Sequence, residues 1–414
     1  MREKLEAIRL PQEKELTESM SSLLNLRLIQ DVIDLFPPKQ SDREFYYFLK
    51  AHSLQIRNGL ITRVDNVFNN VRTRLELKDE IELFVNPDRP LNASFYRRKG
   101  IFIPDILCIG NEFITRMNDA QIAFVIGHEL GHKTFEHSEI NEAINFLYST
   151  ESKIPPAIKK QYLFLKKLHE ISADRVGLLA SGDLEASVRA LLLVISGLED
   201  GLQELSLDDI FNYASSQLDE LKNLNVHLEI THPAVPVRVQ ALRIFAESKL
   251  YRAFISGEAL ADDKELQSKM SELVRLIRAY PTNAEEYWTM MAEASALYMI
   301  AMADREMSFD ERLAILNTIS NFCWCPAEVL DEIQRKGPED FLKLAIEYLK
   351  LNRTERMNDI IREMALFVIR DQRIDKAEYE KFLEIMQTYF ESDQTRAITA
   401  IAAAINISNK LNMS

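Results

Sequence analysis

The chain of 414 residues is 47% hydrophobic and 28% charged, enough for two or three domains with buried cores and too apolar for disorder. With 11 glycines and 13 prolines it is neither collagen-like nor loop-dominated, and long helices are expected. The 64 acids outnumber the 50 bases and give a net charge of −14, so no basic domain neutralises phosphates and no nucleic acid partner is expected.

Residues 1–80 read as largely helical, with one break at Pro37-Pro38. The opening Met-Arg-Glu-Lys-Leu-Glu has no apolar core, so a signal peptide is not expected. Leu60, Val64, Val67, Phe68 and Val71 recur at helical spacing before a strand-like run, Ile81–Val85. After a turn at Asn86–Pro90, strands are expected at Asn92–Tyr96 and Ile101–Ile103, joined as a hairpin by Arg97–Gly100, and a short run Ile106–Ile109 follows. The expectation is a small antiparallel sheet over roughly 81–110.

From Asp119 the pattern is helical, with Ile122, Val125, Ile126 and Glu129 in one helix capped by Asn118 or Asp119. Beyond Pro155-Pro156 a helix runs from near Ile158 through Ala173, and more are expected at 184–198, 206–224 and 236–254. Ala259–Glu265 is charged and lacks apolar periodicity, which places a boundary between a domain at 1–258 and a wholly helical one at 266–414. The fold class expected is α+β, mainly α. In the second half an internal repeat aligns Asp304 with Asp371, Met307 with Ile374 and Glu311 with Glu378. The longest apolar runs, Ala190–Ile195 and Ala397–Ile405, fall short of the ~20 residues of a membrane helix. Cys108, Cys323 and Cys325 make no disulfide framework, so a soluble, cytoplasmic protein without transmembrane segments is expected.

The segment Val125-Ile-Gly-His128-Glu129-Leu-Gly-His132 carries the chemistry. Positions i and i+4 share a helix face about 6 Å apart along the axis, so both imidazoles reach one ion. Glu129 projects about 100° away, placed to take a proton from water beside the metal. Zinc needs a third protein ligand and an open position, for which His137, His169, Glu170 and His232 are candidates. His137 arrives one residue too early for a metzincin, with Phe135 where that pattern has glycine. Glu170 is favoured, because Glu170-Ile-Ser-Ala-Asp174 sets two carboxylates one turn apart: Glu170 to ligate, and Asp174 to hold the far nitrogen of a ligating histidine. His169 faces away from Glu170.

These motifs resemble the HtpX-like and prenyl-protease-like zinc endopeptidases, family forty-eight of the gluzincin metallopeptidases, over roughly residues 60–250. The resemblance rests on Asn92-Ala93, Gly127–His132, His137, Glu170–Gly177, Thr231-His232-Pro233, Arg238 and Leu242. It implies one Zn(2+) per chain on His128, His132 and Glu170, with Glu129 as general base. It also implies that the strand at Asn92 and Ala93 holds substrate by edge pairing. His232 is expected to stabilise the oxyanion or to cap the zinc in a resting form, and Arg238 to anchor that loop to an acidic partner. Family members embedded in membranes carry spanning helices that this sequence lacks, so protein or peptide substrates are expected in place of prenylated ones.

Residues 290–392, with Ala301–Glu311 and its repeat, resemble the TerB-like helical domain, which implies an all-α module. Phe309 at the sharp-turn position excludes an EF-hand, and Cys323-Trp-Cys325 is a poor metal spacing. No Walker-type phosphate loop is present, so the substrates expected are already unfolded or flexible. The reading is a zinc-dependent endopeptidase whose residues 266–414 recruit a protein partner or regulate. The rival is a zinc-stabilised, chaperone-like binding module with a closed site.

Overall fold

The computed structural model describes residues 2–36, 40–57, 59–87, 91–97, 103–198, 204–224, 232–260, 262–277, 281, 283–323, 325–354, 356–370, 375–390 and 399–401. The chain forms two compact units, residues 1–153 with 162–277 and residues 154–161 with 278–414. The proline break at 37–38, residues 98–102 of the hairpin expected over 92–103, Thr231, Trp324 and the repeat positions Asp371 and Ile374 lie outside the described residues.

The first unit opens with helices α1 (Arg2–Ile8), α2 (Pro11–Leu24), α3 (Leu26–Leu35) and α4 (Gln40–His52). There follow β1 (Leu54–Ile56), α5 (Thr62–Arg74), β2 (Ile81–Asn86), β3 (Ala93–Tyr96) and β4 (Asp105–Gly110). Helices then take over: α6 (Asn111–Arg116), α7 (Asp119–Thr134), α8 (Glu139–Leu147) and α9 (Pro156–Ser181), the last belonging to this unit from Tyr162 on. The unit closes with α10 (Leu184–Ser196), α11 (Leu207–Leu224), α12 (Val235–Ala246), α13 (Lys249–Ser256) and α14 (Lys264–Arg275). The single helix expected at 236–254 is two, because Ser248 breaks it and caps α13 by accepting from the Tyr251 N–H at 3.0 Å.

The sheet differs from the expected one. It is mixed, in the order β1-β2-β4-β3, and its first strand comes from outside 81–110. β3 pairs antiparallel with β4, Ala93 opposite Ile109, and β2 pairs parallel with β4, Ile81 opposite Asp105. The reason is burial. All six residues of Asp105-Ile-Leu-Cys-Ile-Gly110 are buried, which suits a central strand, so β4 inserts between β2 and β3 and leaves β3 outermost among the described strands. On one side Phe84, Ile106 and Cys108 pack with Leu49 of α4 and Ile103.

The second unit is helical among the described residues: α15 (Ala284–Ala301), α16 (Phe309–Ser320), α17 (Pro326–Lys336), α18 (Pro338–Leu351), α19 (Met357–Val368) and α20 (Lys376–Tyr389). Every residue from Thr289 to Leu297 is buried, which makes α15 the central helix, packed by α16, α18, α19 and α20. Arg370 joins Glu311 and Glu378, each at 2.7 Å. Cys108, Cys323 and Cys325 are buried and form no disulfide. Among the described residues no helix is long and apolar enough to cross a membrane.

Candidate metal centre

Helix α7 is fixed at both ends. Asn118 and Gln121 form a capping box, each side chain accepting from the other's backbone N–H at 2.9 Å. In the last turn Lys133 reaches Asp79 and Asp105, both at 2.8 Å, and so ties the helix to the start of the central strand. Between these ends, glycines let α7 lie directly on α9. A Cβ on Gly127 would fall 2.3 Å from the Ala180 Cβ, and one on Gly131 would fall 3.0 Å from the Ala173 Cα. The close approach brings the α7 imidazoles to the α9 carboxylates.

The Nε2 atoms of His128 and His132 are 3.1 Å apart. Glu170 of α9 places Oε2 3.6 Å from the first and Oε1 3.5 Å from the second. Tetrahedral zinc with bonds near 2.0–2.1 Å has ligand-to-ligand edges of about 3.3–3.4 Å, so the three residues fit one ion. Burial, with His128 adding to it, pulls the His132 imidazole down to about 4 and keeps it in the neutral form that ligates. Glu129 accepts a hydrogen bond from the Phe95 N–H of β3. Burial pushes its carboxyl up, against the pull of His128 and that N–H, and Glu170 adds to the rise.

Asp174, one turn beyond Glu170, lies 2.9 Å from the Nδ1 of His128. Arg238 of α12 grips the same carboxylate through two nitrogens at 2.8 and 2.7 Å and reaches Glu170 at 3.2 Å. Burial alone would raise Asp174; the guanidinium outweighs it and holds the carboxyl at about 2. His232 is exposed, with Nε2 3.7 Å from Glu170 Oε1. Asn92 accepts from the Gly110 N–H at 2.8 Å, and Ala93 begins β3, two residues before Phe95. The fold thus brings together His128, Glu129, His132, Glu170, Asp174, Arg238 and His232, with the Asn92–Ala93 strand alongside.

His137 stands behind His132, not beside the Nε2 atoms: its Nδ1 is 2.7 Å from the Nδ1 of His132. Its ring stacks on His169 at 3.8 Å, and its Nε2 is 2.9 Å from Glu13 of α2. Glu13 escapes the sequence reading. Its signal is a carboxylate on the stripe otherwise made by Leu16, Met20 and Leu24.

Two imidazoles one helical turn apart, a carboxylate from a second helix and another carboxylate beside them define a candidate zinc hydrolase. Residues 62–246 match the model of a family described as peptidase family M48, which supports a metallopeptidase, a hydrolase acting on proteins or peptides. No curated protein and no solved structure matches the chain. Glu13 lies outside the matched segment.

Proposed function

We propose that the protein is a zinc-dependent endopeptidase of the HtpX-like kind, holding one zinc on His128, His132 and Glu170. The observation that carries this reading is the convergence of those three side chains at ligand-edge distances, beside Glu129. Zinc held there supplies Lewis acidity that polarises a scissile carbonyl and acidifies water. Glu129 takes the proton from the attacking water and passes it to the leaving amine. Its raised carboxyl suits it to both transfers. The outermost position of β3 among the described strands suits it to pair with an extended peptide near Asn92 and Ala93. Arg238 neutralises Asp174 and Glu170, and Asp174 orients His128. The helices from α15 onward, within the stretch 266–414 expected as a TerB-like all-α module, recruit the protein partner or substrate in this reading.

The test is Glu129→Gln, which keeps size and polarity but accepts no proton. Cleavage of unfolded casein should fall by a factor of at least about 100, in line with the loss of general acid–base catalysis, while zinc stays bound by metal analysis. Near-normal turnover would end the water-activation mechanism. A second reading, a binding module with a shut site, draws on His232, whose Nε2 stands near Glu170. If His232 caps the zinc, His232→Ala raises basal casein cleavage; if it steadies the oxyanion, the same change lowers it.

A further inference from the structure

Each ligand imidazole has a second nitrogen, and the protein treats the two differently. A neutral imidazole that ligates through Nε2 carries its proton on Nδ1. His128 donates that proton straight to Asp174. The Nδ1 of His132 faces another imidazole nitrogen, His137 Nδ1, at 2.7 Å. Two nitrogens this close share one proton. With His132 holding it, His137 accepts, and its own proton sits on Nε2, which meets Glu13 Oε1 at 2.9 Å. We propose that Glu13 and His137 form a positioning relay, Glu13–His137–His132, that fixes the tautomer and orientation of the second metal-ligating histidine. The proposal deepens the zinc reading above and rests on it.

Three further observations carry it. Glu13 is fully buried on an otherwise apolar stripe, with Arg9 Nε at 2.6 Å from Oε1 and no hydrogen-bond partner on Oε2. A carboxylate so placed costs stability, which makes a purely structural role a poor account of it. The segment that presents Glu13 is set by α9 itself: Ser172 accepts from the Leu10 N–H at 3.1 Å, and Arg175 donates to the Ile8 carbonyl at 2.7 Å. The helix that supplies Glu170 and Asp174 therefore also places the far end of the relay. Finally, the His137 ring stacks on His169 at 3.8 Å and within 4° of parallel, which holds its plane in place. Glu13, His137 and His169 offer ligand atoms within 4.8 Å of one another, so the rival to the relay is a second metal there; the relay predicts one zinc per chain, and two per chain would replace it.

The test measures zinc affinity of the full-length protein by competition with a chromophoric chelator, using zinc alone as the probe. His137→Phe and Glu13→Ala should weaken binding by about 10–100-fold, the usual cost of losing a partner behind a metal ligand. Met20→Ala, a buried change on the same helix two turns beyond Glu13, should leave zinc affinity unchanged. Glu13→Gln keeps a hydrogen-bond acceptor while removing the charge; in the zinc-loaded protein it should shift the His132 Nδ1–H proton resonance. Wild-type affinity in both His137→Phe and Glu13→Ala, an equal loss in Met20→Ala, or an unmoved resonance in Glu13→Gln would overturn the relay. If the wild type takes up no zinc, the zinc reading falls and the relay with it. If Glu170→Ala weakens zinc while both relay variants do not, only the relay falls.

Discussion

Glu293 lies midway along α15 at 4% exposure, and burial, with Glu363 and Asp359 adding to it, pushes its carboxyl up to about 8. Its ordinary value is 4.5, so between there and about 8 the folded chain holds a proton that the unfolded chain has released. Its contribution to stability is complete below 4.5 and is lost as pH rises through 8, at up to about 1.4 kcal/mol per pH unit. Glu293→Gln should therefore raise the melting temperature at pH 8 more than at pH 5, followed by Trp288 fluorescence on the same helix. An equal shift at both pH values would remove the carboxyl as the cause. Single residues also mark where sequence reading stops. Glu170 is legible because Asp174 follows one turn later and the histidine pair demands a third ligand. Glu13 is not, because nothing local relates it to a histidine 124 positions away.

At the scale of elements, α7 is the part that sequence specifies best: its cap, its i,i+4 imidazoles and its apolar face are all local. The sheet is specified least. β1 is three residues long, and the parallel pairing of β2 with β4 depends on which strand is buried on both faces, a property of the assembled unit. The helix contact yields a sharp prediction. Gly→Ala inside a helix ordinarily gains about 1 kcal/mol. At Gly127 the new methyl would meet the Ala180 Cβ at 2.3 Å and the Gly177 Cα at 3.0 Å, so the sign reverses. Gly127→Ala should lower stability by about 1–3 kcal/mol, read from the denaturant midpoint, and weaken zinc by moving α7 off α9. A stabilised variant would mean that the two helices part without cost.

Across the whole molecule, the candidate metal centre is closed by contacts that span long stretches of chain. His128 meets Asp174 46 residues on, Arg238 reaches back 64 to the same carboxylate, and Glu13 lies 124 before its histidine. Closing loops of that length is slow, so such contacts form late, after the helices and the sheet exist. Interactions absent from the transition state act on the escape rate alone. Zinc should therefore slow unfolding of the first unit and leave its refolding rate unchanged, as read by pulse-labelled hydrogen exchange of residues 119–134 in the full chain. Faster refolding with zinc present from the start would mean that the ion seeds the fold. On the late-closure account the ion works as a latch: it arrives at a finished pocket, and its service is measured in lifetime.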